Sequence, residues 1–569
     1  MEFDVAIIGG GPAGSTVGAL LAKYKPELKV LILERERFPR DHIGESLLPP
    51  TSWIIDEMGC WDDVEAAGFP IKIGAAYRWG RRPERWNFDF YPTDKFVDEA
   101  RPAKFAGQRL NTAFQVDRSI YDTILLDHAQ KLGCTVRQQK RVVEVQRDGD
   151  RVTALTLDSG ESVTARYYVD ASGNSGILRR AMEIACDYPS TLRNIAIYDY
   201  WQNAEWAVEI GVGGTRIQVL SLGYGWIWFI PLGPTRTSVG VVVPVDYYKS
   251  TGKSPQEVYD QALADESIVR SLLRNASSEG KLQTTRDWSF LAERQTGENW
   301  FLVGECAGFA DPILSAGVTM AHVAAQQLAC TILELERGAH DPEWLRREYE
   351  RRQTARIRTH IHFGDYWYTA NEQFVDLKQF TTSLASNMGL ELSPEGAWDW
   401  IARGGFIDDD LRFGVGGFSV SFLRTAGDDI FGCQTANSPF EKYNLFKLNL
   451  RGAIERPRAE YRNGAITLTR SFHRGDKVLP IAMHYQVAVS LLQKTADITT
   501  LAENLRRTSE ITQPTLQARN EMITSTLQAL ESMIIDGWVE CLYNPSRPRL
   551  TVGYNFQAVS WDDQIAATR

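Results

Sequence analysis

Apolar and polar positions follow two different periods along this chain, and the changes of period mark out its elements. Val5-Ala6-Ile7-Ile8 is an all-apolar run, a helical pattern follows Gly14, and residues 29–33 are again mostly apolar. Strand, helix and strand in that order predict an α/β unit on a parallel sheet, continuing to about residue 180. From about 190 to 245 the period falls to two. Ile195-Ala196-Ile197 and the stretches 215–220, 226–230 and 237–243 are separated by Gly and Pro, which predicts antiparallel strands able to roof a substrate cavity. Residues 300–303 and 317–335 return to strand then helix, completing the first sheet from a distance in sequence. Beyond about 363 the texture is aromatic-rich and helical. The last eighty residues read as helices followed by a hairpin, 537–542 with 549–554 around Asn544-Pro545-Ser546, the outline of a winged helix from about 480.

Composition removes several classes of function. Hydrophobic residues make up 43% and charged residues 24% of 569, and no segment reaches the roughly eighteen apolar residues of a membrane span. A net charge of -10 is the wrong sign for a nucleic-acid binder, and no membrane partner is expected. Seven scattered cysteines, at 60, 134, 186, 306, 330, 433 and 541, contain no C-x-x-C pair and predict free thiols and no metal site. Met1-Glu2-Phe3-Asp4 runs straight into the first strand without a basic leader, so a cytoplasmic location is expected.

The first chemical signal is Gly9, Gly11 and Gly14, a G-x-G-x-x-G between strand and helix, with Glu34 ending the next strand. Gly9 makes the tight turn, Gly11 lets backbone approach a pyrophosphate, and Gly14 lets helix and strand pack closely. Pro12 and Ala13 then belong to the helix N-terminus, where free N–H groups and the dipole hold the anion. Glu34 is placed to accept hydrogen bonds from a ribose.

Two later stretches point to FAD. Val169-Asp170-Ala171-Ser172-Gly173 and Phe301-Leu302-Val303-Gly304-Glu305-Cys306-Ala307-Gly308 resemble stretches that contact FAD in the p-hydroxybenzoate-hydroxylase-like flavoproteins, which implies cofactor roles for Asp170, Gly304 and Glu305. That superfamily normally has Asp where Glu305 stands. Gln115-Val116-Asp117-Arg118 resembles the segment that brings an arginine to the flavin, Arg118 here, and a solvated turn accounts for it equally well.

Trp226-Ile227-Trp228-Phe229-Ile230-Pro231 matches W-x-W-x-I-P, a signature of flavin-dependent halogenases, in which the aromatic wall keeps organic substrate away from the flavin. Alone it also reads as a core strand, with Trp226, Trp228 and Ile230 on one face. Phe309, Pro312, Ser315 and Gly317 match F-x-x-P-x-x-S-x-G, a second halogenase pattern, with Asp311 and Pro312 as flavin contacts. The Ala316 and Gly317 amides form a nest for halide; a flavin pyrimidine contact is the competing role. Phe38-Pro39-Arg40, Gly44-Glu45-Ser46 and Leu47-Leu48-Pro49 resemble a third segment, implying that Arg40, Gly44, Glu45 and Ser46 meet the cofactor. Lys72, before Trp79-Gly80, resembles the halogenase lysine.

The resemblance implies an enzyme that uses FAD as FADH2, with O2 and chloride or bromide, to make hypohalous acid that Lys72 orients or carries as a haloamine. It implies a separate NAD(P)H-dependent flavin reductase as partner. Leu314 stands where tryptophan halogenases carry Glu, which points to a phenolic, pyrrolic or carrier-tethered substrate. The basic run Arg346-Arg347, Arg351-Arg352, Arg356 and Arg358 is the candidate carrier-protein patch. A class A FAD monooxygenase hydroxylating an aromatic with NAD(P)H shares the fold and stays open at this point. The expected architecture is α/β: a Rossmann-like FAD part over 1–185, an antiparallel substrate subdomain over 186–290, a return to the FAD domain over 291–362 and a mainly helical region over 363–569.

Overall fold

The computed structural model describes residues 2–81, 83–91, 93–97, 99–207, 209, 213–387, 439–475, 477–552 and 559–561. They fall into two compact units, one holding 2–387 with Tyr461–Ile466, the other the remaining C-terminal residues.

The first unit is organised around its two largest sheets. Its parallel sheet has five strands in the order Trp300–Leu302, Ala165–Asp170, Phe3–Ile8, Val30–Leu33, Thr135–Arg137. Phe3–Ile8 is central, with Ile8 opposite both Asp170 and Leu33. Strands flanked on both sides are buried on both faces, and Val5, Ile7 and Leu31 are accordingly fully buried. The edge strand Trp300–Leu302 arrives from far along the chain, as the sequence pattern predicts. Helix Gly317–Arg337 follows it and packs on helix Pro12–Tyr24.

The second sheet has nine strands, and four of them run Arg193–Gln202, Arg236–Pro244, Gly225–Pro231, Gly214–Leu222 across its centre. Strands Ile71–Arg78, Trp86–Asp89 and Ala113–Phe114 join the same sheet, although the pattern assigns them to the first segment. The boundary at 185 therefore does not separate the two sheets. Leu220, Ile227, Phe229, Val239 and Val241 pack one face of the sheet into a core under helix Pro255–Asp265. The other face lines a cavity.

In the second unit, helices Met483–Leu492, Ile498–Thr512 and Leu516–Ile535 share a core with Phe446 and Trp538. Among the described residues the two arms of the expected hairpin do not pair with each other. Strand Val539–Leu542 pairs with Leu445–Leu448, and Leu550–Val552 pairs with Val559–Trp561. Asn444 explains the difference: its Nδ2 donates to the carbonyls of Asn544 at 2.8 Å and Arg547 at 2.9 Å, and its Oδ1 accepts from Asn544 N at 2.8 Å. The turn is thus tied to the chain ahead of the helices.

Among the described residues no helix is long and apolar enough to cross a membrane, no His, Cys, Asp and Glu group is spaced to hold a metal ion, and six cysteines are free. Cys433 lies outside the described residues.

Candidate functional site

The glycine turn behaves as its spacing predicts. Gly9 has φ +103°, and a Cβ there would come within 2.4 Å of the Ala171 carbonyl oxygen. A Cβ on Gly14 would meet the Gly9 carbonyl oxygen at 1.9 Å, so helix Pro12–Tyr24 can sit this close to its strand only with glycine. At Gly11 nothing but Arg40 Nη2, 3.5 Å away, faces the missing side chain, which leaves room for a ligand. Glu34 Oε2 accepts from Gly10 N at 2.7 Å and Oε1 from Glu36 N at 2.8 Å. The same carboxylate that would meet a ribose therefore also holds the turn.

These residues open on a cavity of about 1420 Å³. Gly9, Gly11, Pro12, Ala13 and Glu34 form one end; Gly44, Glu45, Ser46 and Arg118 lie along it, joined by Gly304, Glu305 and Pro312. Ser315 and Gly317 reach it from the turn before helix Gly317–Arg337. Arg118 is clamped by Asp122 at 2.7 and 2.9 Å and donates to the Ile43 carbonyl at 2.7 Å, so its orientation is fixed before any ligand arrives. Arg40 lies 3.2 Å from the same Asp122. Burial pushes Glu305 up despite the nearby Arg118 charge. Glu45 is pushed up to about 7, again by burial, against hydrogen bonds from Tyr200 and Ser238 that favour its charged form.

Six expected site residues do not line the cavity. Gly14 acts through packing, as above. Asp170 spends its carboxylate on Ser172 N, Ser172 Oγ and Leu178 N, at 3.0, 2.6 and 2.7 Å, and so shapes the turn beside Gly9. Asp311 caps the short turn Pro312–Leu314 through Ile313 N at 2.9 Å. Pro231 ends strand Gly225–Pro231, and Ala316 sits buried at the start of helix Gly317–Arg337.

Lys72 is the sixth. It is 1% exposed, its amine lies 5.4 Å from the centre of the Phe90 ring, and among the described residues no carboxylate pairs with it. Burial alone pushes it down to about 7. Its strand, Ile71–Arg78, pairs with Gly214–Leu222 so that Lys72 opposes Thr215, and the register then slips to put Gly74 opposite Arg216. A bulge of this kind re-aims a side chain. Directly opposed residues share a face, and Ile217 and Val219, alternate neighbours of Thr215, line the cavity. The slip thus sets Lys72 on the cavity face. Extended through Thr215, its register falls opposite residue 232, just past strand Gly225–Pro231, so Trp228 stands two strands over and four residues along, roughly 16 Å away at the usual strand spacing and rise.

The tryptophan motif divides its side chains between the two faces of its strand. Trp226, Trp228 and Ile230 line the cavity, while Ile227 and Phe229 fill the core behind. Trp226 Nε1 donates to the Tyr368 hydroxyl at 2.8 Å and Trp228 Nε1 to Ser238 Oγ at 3.1 Å, with the indole centres 5.9 Å apart. Tyr368, Ser238 and Tyr200 are contributors that sequence reasoning missed, and no short-range pattern marks them. Gly240, an isolated glycine within an apolar strand, was a usable signal of close approach.

The turn ahead of helix Gly317–Arg337 has an anion-binding form. Ser315 adopts φ +55°, Ala316 is the N-cap without any side-chain hydrogen bond, and the first turn carries no acidic residue. The leading N–H groups of a helix have no intrahelical acceptor. They are available to a halide or to a flavin oxygen.

The cavity fits FAD on this chemistry. It joins a glycine turn open at Gly11 to a nest of amides, and the buried Ser46 Oγ on its wall has no protein hydrogen-bond partner. Glu34 would hold the adenosine ribose and the amides before Val318 the ring.

A family model described as tryptophan halogenase matches residues 4–101 and 91–376. The chain belongs to that family. This halogenase-family chain is 34% identical over 345 residues to a tryptophan 2-halogenase of Chondromyces crocatus, covering 59% of the chain but only 62% of that relative's length. It is 31% identical over 344 residues to a 1H-pyrrole-2-carbonyl-[peptidyl-carrier protein] chlorinase of Pseudomonas fluorescens, covering 58% of the chain and 76% of the relative. The crystal structure of CmlS, a flavin-dependent halogenase, superimposes with a TM-score of 0.71 at 25% identity over 97% of this chain and 98% of the other.

Proposed function

We propose that this chain is an FADH2- and O2-dependent halogenase, chlorinating an electron-rich phenol or pyrrole, free or tethered to a carrier protein, in secondary metabolism. The observation that carries the reading is Lys72: a buried amine, unpaired with any carboxylate among the described residues, on the cavity face of the sheet and two strands from the tryptophan wall. A lysine with a merely structural role would be expected to carry its ammonium to the surface or to pair it with a carboxylate.

Bound reduced FAD, with O2, supplies the oxidising equivalents that convert halide to hypohalous acid. The amides of Ala316 and Gly317 hold the halide. Trp226 and Trp228 keep organic substrate from the cofactor, so that halide meets the oxidant first. Lys72 orients the hypohalous acid or exchanges an N–H for N–Cl, releasing water, and passes the halogen to carbon. Arg118 and Glu34 bind and orient the cofactor. FADH2 comes from a separate NAD(P)H-dependent reductase in the cytoplasm.

Substrate choice is supported by Leu314, an apolar residue 1% exposed where tryptophan-type enzymes carry Glu, and by the carrier-protein substrate in the Pseudomonas relative's name. Of the basic run on helix Pro342–Thr369, Arg347 and Arg358 keep exposed side chains that a docked carrier could meet. Arg347 pairs with Glu343, Arg351 and Arg352 flank Glu348, and Arg356 is buried.

The test supplies FAD, NADH, a flavin reductase, chloride or bromide, and a panel of phenols and pyrroles, free and carrier-tethered, and follows product mass. Halogenated product that disappears with Lys72→Ala is the expected result. Hydroxylated product, with NADH oxidation by this chain alone, would establish the monooxygenase reading instead.

A further inference from the structure

Behind the tryptophan wall lies a buried polar chain. Trp226 Nε1 donates to the Tyr368 hydroxyl at 2.8 Å, and that hydroxyl donates to Asp311 Oδ1 at 3.3 Å. Asn194 Nδ2 reaches the Tyr368 hydroxyl at 3.3 Å and Asp311 Oδ2 at 3.4 Å. Asp311 caps the turn Pro312–Leu314, and Ser315 N donates to the Pro312 carbonyl at 2.9 Å, closing the same turn. One rigid turn therefore separates Asp311 from the Ser315-Ala316-Gly317 amides. Helix Pro342–Thr369, which carries Tyr368, approaches Asp311 at Gly364, where a Cβ would stand 3.4 Å from the Asp311 Cβ. Trp226, Tyr368 and Asp311 are each almost fully buried, so water does not compete for these bonds.

We propose that Tyr368 is a positioning residue that, through Asp311, ties the tryptophan wall to the halide turn, so that an anion on the turn and the stance of the Trp226 indole are set together. The inference rests on the halogenase reading, because it takes the turn to hold halide. Its chemical consequence is coupling: the wall is tightest against organic substrate when halide is present to consume the oxidant.

The test uses FAD-loaded protein labelled with 5-fluorotryptophan, the Trp226 fluorine resonance being assigned by its loss in Trp226→Phe. Chloride titration should shift that resonance in the wild type. In Tyr368→Phe the chloride-induced shift should fall at least fivefold, and peroxide released per product should rise several-fold. Trp226→Phe should release peroxide to a similar degree, and the double variant should add little to either single change. If Tyr368→Phe does not fold, Asp311→Ser, whose shorter hydroxyl can still cap Ile313 N but no longer offers a carboxylate to the Tyr368 hydroxyl, gives the same readout. A Trp226 resonance indifferent to chloride in the wild type, or a shift within twofold of wild type in Tyr368→Phe or Asp311→Ser, overturns the proposal. Wild-type protein that yields no halogenated product from the panel would defeat the halogenase reading instead, whatever the resonance does.

Discussion

Gly240 lies directly beneath the indole of Trp228: a Cβ at that position would come within 2.2 Å of the ring. The two residues are opposed across neighbouring strands, so the ring occupies the space the glycine leaves. Gly240→Ala must push Trp228 into the cavity or part the strands, and overpacking of this kind costs about 1–3 kcal/mol. The thermal midpoint should drop by several degrees, with more peroxide released per halogenated product. An unchanged melt with unchanged coupling would mean the wall is softer than its packing.

Lys72 provides a pH signature. Its folded value is lowered from 10.5 to about 7 by burial, so folding favours the neutral amine. The associated stability is complete above the unfolded value and is lost as pH falls through about 7. The wild type should therefore weaken relative to Lys72→Met between pH 9 and pH 6, read from urea midpoints. Halogenation should rise with pH through the same window if the neutral amine forms a haloamine. A rate that falls there would assign the ammonium as hydrogen-bond donor.

Glu45 runs the other way. Burial raises it from 4.5 to about 7, so folding favours the protonated carboxyl. Its stabilising contribution is present below the unfolded value and lost as pH rises through about 7. Glu45→Gln should gain on the wild type in denaturant midpoint from pH 5 to pH 8. Equal slopes for the two proteins would show that Glu45 does not titrate there.

Glu34→Gln separates the two duties of that side chain. The amide retains an acceptor for Gly10 N or for Glu36 N but not for both, and it loses the charge that favours ribose hydroxyls. FAD affinity should fall about tenfold, roughly 1.4 kcal/mol, and the melt of flavin-free protein should drop by about the 1 kcal/mol of one lost hydrogen bond. Tight binding retained in Glu34→Gln would place the ribose elsewhere.

The parts of the site legible in the sequence are those written in consecutive residues. Gly9, Gly11, Gly14 and Glu34 act within one strand-turn-helix-strand unit, and the alternation of Trp226, Trp228 and Ile230 survives because one strand face meets a cavity and the other a core. Lys72 was found by motif, but its facing was not readable: counting by twos from Tyr77 and Ala75 puts it outside, and only the slip opposite Thr215 turns it in. The local duty of Asp170 was not readable either, since its carboxylate bonds amides a few residues on. Tyr368 meets Trp226 across 142 positions of sequence, where no local pattern can reach. The hairpin expected at the C-terminal end failed for the same reason, since Asn444 and Leu445–Leu448 lie far upstream of it.

The late arrival of Trp300–Leu302 in the parallel sheet has a consequence for the order in which the chain can be finished. Until that strand emerges, Ala165–Asp170 presents an open edge, and neither Gly304 nor the turn at Ser315 exists to close the cofactor's seat. Contacts spanning 132 residues, as between Tyr168 and Trp300, form slowly, and open strand edges invite association in the meantime. A nascent chain cannot be rescued early by flavin, so expression at lowered temperature should raise the soluble yield more than added riboflavin does.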